Sequence, residues 1–162
     1  MKYQKAKSLI ALLFVVLLLF GTSISVCAYS YWLATWPSSV ISYYYESSTS
    51  SRGKSFFAQG ANGWDSTDVS FVFGTSYGYN IYCIESYSPD EDWDGLTSAA
   101  SSGGYFTSQA LLLNSGQTRT WNSDGALRSV AIHEFGHCLG LGHEYGAVVM
   151  NPYTWGSNSR YE

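Results

Sequence analysis

The stretch His133-Glu134-Phe135-Gly136-His137-Cys138-Leu139-Gly140-Leu141-Gly142-His143 decides how this chain is read. Side chains four apart on a helix lie one above the other, so His133 and His137 can converge on a single ion. Gly140 accepts a backbone that other residues resist, and can turn the chain so that His143 brings a third imidazole from outside the helix. Three neutral imidazoles suit Zn2+ and leave its fourth position open to water, the arrangement of catalytic rather than structural sites. These are the only three histidines in the chain. Glu134 follows the first of them and can reach a water at the ion without coordinating it, acting as general base and then general acid.

Outward from this stretch, Ala126 to Leu139 reads as a helix, with Ser123 or Asp124 as N-cap and Gly140 as its stop. Upstream, the β-rich runs are Val40 to Tyr45 after Trp36-Pro37, Asp68 to Phe73, Tyr79 to Ile84 and Tyr105 to Leu113. Ser55 to Trp64 reads as a second helix, although Gly60 and Gly63 weaken it. Strand, helix, three strands and helix in that order predict an α+β fold, α/β-like, with a mixed sheet.

At 46% hydrophobic, 17% aromatic and 12% charged, the 162 residues exclude a disordered chain or a coiled coil. Lys2, Lys5 and Lys7 precede an apolar run from Leu9 to Phe20, and Val26-Cys27-Ala28 follows it. This reads as a secretory signal peptide over residues 1–28, leaving Tyr29 to Glu162 as one domain. A retained anchor is the alternative, but the run falls short of the roughly 20 residues that span a bilayer. Losing three lysines takes the formal charge from −4 to −7, which makes nucleic acid a poor partner. Cys83 and Cys138 then remain, and two buried free thiols are the favoured reading over one disulfide.

His133-Glu134-x-x-His137-x-x-Gly140-x-x-His143, followed by Val148-Val149-Met150-Asn151-Pro152-Tyr153, resembles the metzincin zinc endopeptidases, and the short interval from His143 to Met150 resembles their matrixin branch. Only Ser129 to Tyr153 is specific; the likeness elsewhere is weaker. The resemblance implies the metzincin zincin fold, a twisted mixed sheet with an active-site helix and a second packing helix. It implies one catalytic zinc on His133, His137 and His143, Glu134 as base, and Met150 in a Met-turn beneath the histidines. It implies that Tyr153 and Trp155 wall a substrate pocket, with Tyr153 alternatively a further ligand or oxyanion donor. It also implies that the strand Tyr105 to Leu113 is the sheet edge along which an extended substrate pairs. The expected partner is a peptide or protein, met outside the cell by a monomer free of the membrane.

Asp90, Asp92 and Asp94 alternate before Gly95 like the opening of a calcium loop, where matrixins carry structural calcium. Ser101 at the twelfth position lacks the bidentate carboxylate of such loops, and a solvated acidic loop is the alternative. Two other functions stay open beside a secreted zinc endopeptidase: a non-proteolytic zinc-containing binding module, and a toxin-like or bacteriocin-like protease aimed at one target. The intact Glu134 argues against the first.

Overall fold

The computed structural model describes residues 32–74, 80–144 and 149–152. The expected leader, Tyr153 and Trp155 lie outside the described residues. In chain order the elements are β1 (Val40–Tyr45), α1 (Ser51–Asn62), β2 (Ser70–Phe73), β3 (Asn80–Ser86), β4 (Gly95–Ser102), β5 (Tyr105–Asn114), a single-turn α2 (Thr118–Trp121) and α3 (Asp124–Cys138). The sheet runs β2-β1-β3-β5-β4, parallel except for β4, which is antiparallel to β5. This is the α+β architecture with a mixed sheet that the sequence predicts.

One face of the sheet carries Ile41, Tyr43, Ile81, Cys83, Leu111 and Leu113, all buried. Phe56, Phe57 and Ala61 of α1 and Leu127, Val130, Ala131 and Phe135 of α3 join them in one apolar core. Side chains alternate along a strand, so register places these residues together on the face that the helices cover. Gly60, read from sequence as a weakness in α1, is where the helices touch: a Cβ there would lie 2.7 Å from the Ala131 carbonyl oxygen. Cys83 and Cys138 are buried free thiols, and burial pushes both well above the ordinary thiol range.

Local chemistry sets the helix ends. Ser50 caps α1 by accepting from Gly53 N (3.1 Å), while Glu85 on β3 accepts from Ser50 N (2.9 Å). Ser123 caps α3 by accepting from Ala126 N (3.4 Å). At the other end Gly140 has φ 85°, with Gly140 N donating to His137 O (2.8 Å) and Leu141 N to Gly136 O (3.1 Å). Those two bonds are a Schellman turn, which satisfies the last carbonyls of the helix and reverses the chain after it.

One expectation needs correction. The strand Tyr105 to Leu113 is not an edge, because β5 lies between β3 and β4; among the described residues the end strands are β4, next to β5, and β2 on the far side. The sequence Gly95 to Ser102 is too rich in small residues to declare itself a strand, and it is held by backbone pairing with β5 across Gly103-Gly104 (φ 59° and 81°). The carboxylates of the acidic loop lie at different depths. Asp90 and Asp92 are exposed while Asp94 turns inward to 1% exposure, beside Thr120 of α2 and the charge of Arg119. Burial raises the Asp94 pKa, partly offset by Thr120 and Arg119. Among the described residues the three carboxylates do not appear as a group of three able to hold an ion. No helix among the described residues is long and apolar enough to cross a membrane.

Candidate metal centre

α3 points His133 and His137 to the same side, one turn apart, and the Gly140 turn returns His143 to meet them. His143 Nε2 lies 3.2 Å from His133 Nε2 and 3.1 Å from His137 Nε2. Two carbonyls fix the ring orientations: His133 Nδ1 donates to Val149 O (2.8 Å) and His137 Nδ1 to Leu141 O (2.7 Å). A carbonyl can only accept, so in both rings Nδ1 carries the hydrogen and Nε2 offers its lone pair. Such outer partners hold the tautomer and aim of a ligating imidazole.

The donor set fits zinc. Bonds of about 2.0–2.1 Å in tetrahedral geometry hold ligand nitrogens about 3.3 Å apart, close to the spacing seen here. Among the described residues these three histidines form the one cluster of His, Cys, Asp or Glu able to hold an ion. Burial, then the neighbouring His137, lowers the His133 pKa from 6.5 to about 3. Burial likewise lowers His137 to about 4, with the Leu141 carbonyl acting in the opposite direction. Both rings therefore remain neutral at physiological pH, the state a metal requires.

Glu134 sits between the two helical imidazoles in sequence and is 1% exposed. Burial pushes its carboxyl from 4.5 up to about 8, opposed by a hydrogen bond from Thr97. The Thr97 hydroxyl lies 2.7 Å from Glu134 Oε2 and 3.1 Å from the Glu134 carbonyl oxygen. Two residues earlier on β4, Gly95 makes the space: a Cβ there would stand 2.7 Å from Glu134 Oε1 and 2.6 Å from Val130 Cγ1. A cation among the histidines would favour the ionised carboxylate, reversing the effect of burial.

Met150 is fully buried and packs against Gly136, where a Cβ would collide with its sulfur and approach Trp64. Glu144 N donates to Met150 O (2.8 Å), tying the segment after His143 to the Met150 turn. Tryptophans secure α3 from outside: Trp36 Nε1 donates to Cys138 O (2.6 Å) and Trp64 Nε1 to Ile132 O (3.0 Å). Trp32 lies parallel to the His137 ring, at 5.6 Å between centroids and 10° between planes. Sequence reasoning missed Gly95, Thr97 and Trp32. Gly103-Gly104, a two-residue hairpin signal, could have revealed β4 and with it the first two.

A helix presenting two imidazoles four residues apart, with a third beyond its terminal glycine and a carboxylate between them, is the arrangement of zinc metalloproteases. The chain belongs to the matrixin family of peptidases (Peptidase M10), whose profile matches residues 41–162. Similar solved structures include high choriolytic enzyme 1, a hatching enzyme zinc-protease from Oryzias latipes (medaka fish). It is 19% identical with a TM-score of 0.44, over 75% of this chain and 52% of that one. Myroilysin is 18% identical with a TM-score of 0.46, over 73% of this chain and 56% of that one. The chain spans about half the length of these two proteins. Among curated proteins no sequence matches it.

Proposed function

We propose that this chain is a secreted zinc-dependent endopeptidase in which His133, His137 and His143 hold the metal and Glu134 is general base and acid. The observation that carries this reading is the convergence of three Nε2 atoms in a matrixin chain, two of them fixed by Nδ1-to-carbonyl hydrogen bonds. Zinc held there would supply Lewis acidity toward a peptide carbonyl and lower the pKa of water. Glu134 takes a proton from the attacking water as it adds to the scissile carbonyl, then returns one to the departing amine nitrogen. The carbon–nitrogen bond breaks and the products are a carboxylate and an amine. The buried setting of Glu134 keeps bulk water from competing for that proton.

Met150 forms the apolar floor under the imidazoles, and only the family resemblance assigns Tyr153 and Trp155, outside the described residues, to the pocket for the side chain beyond the scissile bond. An extended peptide or protein segment pairs with the edge of β4, beyond which no further strand lies among the described residues. Residues 1–28 direct export, and the protein acts as a monomer outside the cell on a peptide or protein substrate. The acidic charge and Lys-rich leader support that placement.

The test is hydrolysis of a quenched-fluorescent peptide library by the protein from Tyr29 onward, with one equivalent of zinc. Turnover should vanish with a chelator and return with zinc. Glu134→Gln should keep one zinc per chain and lose at least about 100-fold in kcat, the lower range of a general acid–base contribution. A variant that binds zinc and retains more than a tenth of parental activity would refute the role of Glu134.

A further inference from the structure

We infer that Thr97 is a positioning residue for Glu134, holding the carboxylate in its working orientation from the edge strand of the sheet; the inference rests on the peptidase reading above. The last torsion of a glutamate side chain is broad, so a carboxylate fixed only by its own stem rotates. Thr97 removes that freedom. Its hydroxyl lies 2.7 Å from Glu134 Oε2, within the range of a strong charge-assisted hydrogen bond, and the contact is closer than the 3.1 Å to the Glu134 carbonyl.

The anchor is itself stiff. Thr97 is β-branched, which restricts its first torsion, and its backbone is paired with Leu111 of β5. Gly95, on the same strand, leaves room for Glu134 Oε1 and Cγ that any side chain would fill. One carboxylate oxygen is thus tied and the other borders bare backbone. Both controls come from β4, the strand at the sheet edge, so the element placed to meet an extended substrate also aims the base. A carboxylate that turns away from the attacking water remains basic but loses its line to the proton. The loss falls on kcat, because neither the metal ligands nor the substrate edge has changed.

The experiment compares Thr97→Ala, Thr97→Val and Thr97→Ser in the zinc-loaded protein from Tyr29 onward, using one fluorogenic peptide that the parent cleaves. The alanine and valine forms are expected to lose about 10-fold to 100-fold in kcat, part of the range for general acid–base catalysis, with KM within about twofold and zinc content unchanged. The serine form, which restores only the hydroxyl, should return to within about threefold of the parent. Should the valine form not fold, alanine against serine isolates the same oxygen. A readout independent of turnover is the infrared difference spectrum of each protein against its Glu134→Gln counterpart, which isolates the Glu134 carboxyl band. That band should shift in the alanine form and hold in the serine form. An active parent whose alanine variant keeps kcat within twofold overturns the role of Thr97 alone, as does a serine variant no better than alanine. A parent that cleaves no peptide overturns the peptidase reading instead, and an unshifted band then overturns the hydrogen bond on its own.

Discussion

Replacing Gly60 by alanine should destabilise this protein, although alanine is the better helix former by about 1 kcal/mol. Gly60 lies inside α1, where the added Cβ would stand 2.7 Å from Ala131 O, 2.8 Å from Ala131 C and 2.8 Å from Phe135 Cδ2. The first two are backbone atoms of α3 and cannot swing aside, so the helices must separate by several tenths of an ångström. Overpacking of this kind costs typically 1–3 kcal/mol, roughly, and the parting also loosens the fully buried Phe57 and Phe135. After subtracting the gain in helix propensity, the expected net loss is about 0–2 kcal/mol, centred on about 1 kcal/mol. Gly125 provides the internal control: it lies in the first turn of α3 and its Cβ would meet nothing within 4 Å. Alanine there should add about 0.4–1 kcal/mol by restricting the unfolded chain. Urea unfolding of the parent and both variants at one fixed zinc concentration measures the difference, which should amount to roughly 2 kcal/mol with opposite signs about the parent. Ala131 precedes His133 by two residues, so the Gly60 variant should also bind zinc more weakly. A Gly60→Ala protein as stable as the parent, or more so, would refute the claim that the two helices meet through that glycine.

Protein stripped of zinc should show a stability maximum near pH 6.5. His133 and His137 have folded pKa values of about 3 and about 4 against 6.5 unfolded, so the unfolded chain takes up their protons first and stability falls as the pH drops below 6.5. Glu134 has the opposite sign: its folded value of about 8 exceeds 4.5, so its contribution is full below 4.5 and is lost as pH rises through 8. Between 4.5 and 6.5 the two histidines outweigh the one carboxyl, and from 6.5 to 8 the carboxyl acts alone, costing roughly 2 kcal/mol. Urea midpoints from pH 4 to 9 should trace this peak, and Glu134→Gln should flatten its alkaline side; stability that climbs from pH 6.5 to 8 contradicts the sign. Asn114→Ala should lower stability by roughly 2–4 kcal/mol, because one buried amide accepts from Ser88 N and Gly116 N and donates to Ser88 O and Trp93 O. A thermal midpoint unmoved by that change would show that water replaces those four bonds.

The histidine-bearing helix α3 was legible because its chemistry and its punctuation coincide: two histidines at helical spacing, a serine cap and a glycine at the left-handed stop. β1, β3 and β5 were legible as dense runs of Tyr, Ile, Val and Leu. β4 was not, because Leu96-Thr97-Ser98-Ala99-Ala100 carries little β preference of its own and becomes a strand through its ladder to β5. With that partner unseen, β5 was taken as the edge. The same gap hid Thr97 and Gly95, whose meaning depends on a residue 37 positions away in the case of Thr97 and Glu134. The burial of Asp94 was hidden for a related reason: it packs beside Thr120 in a single-turn helix with no sequence signature. Gly60 and Gly63 argued against α1 by propensity, and the close approach to α3 overrode that at Gly60.

The three imidazoles belong to eleven consecutive residues, His133 to His143, whereas the anchor of Glu134 comes from β4, a strand far earlier in the chain. Bringing the imidazoles together closes only a short loop, and its entropy cost is small beside that of docking the sheet edge on the helix. Metal capture and assembly of the proton-transfer geometry are therefore separable events with different chain requirements. On the proposed reading, a molecule whose β4 has frayed from β5 would hold its zinc and still be inert. The metal content of a preparation then counts formed helix turns, while the number of working molecules follows the closure of the hairpin, and the two diverge first under conditions that fray the sheet edge.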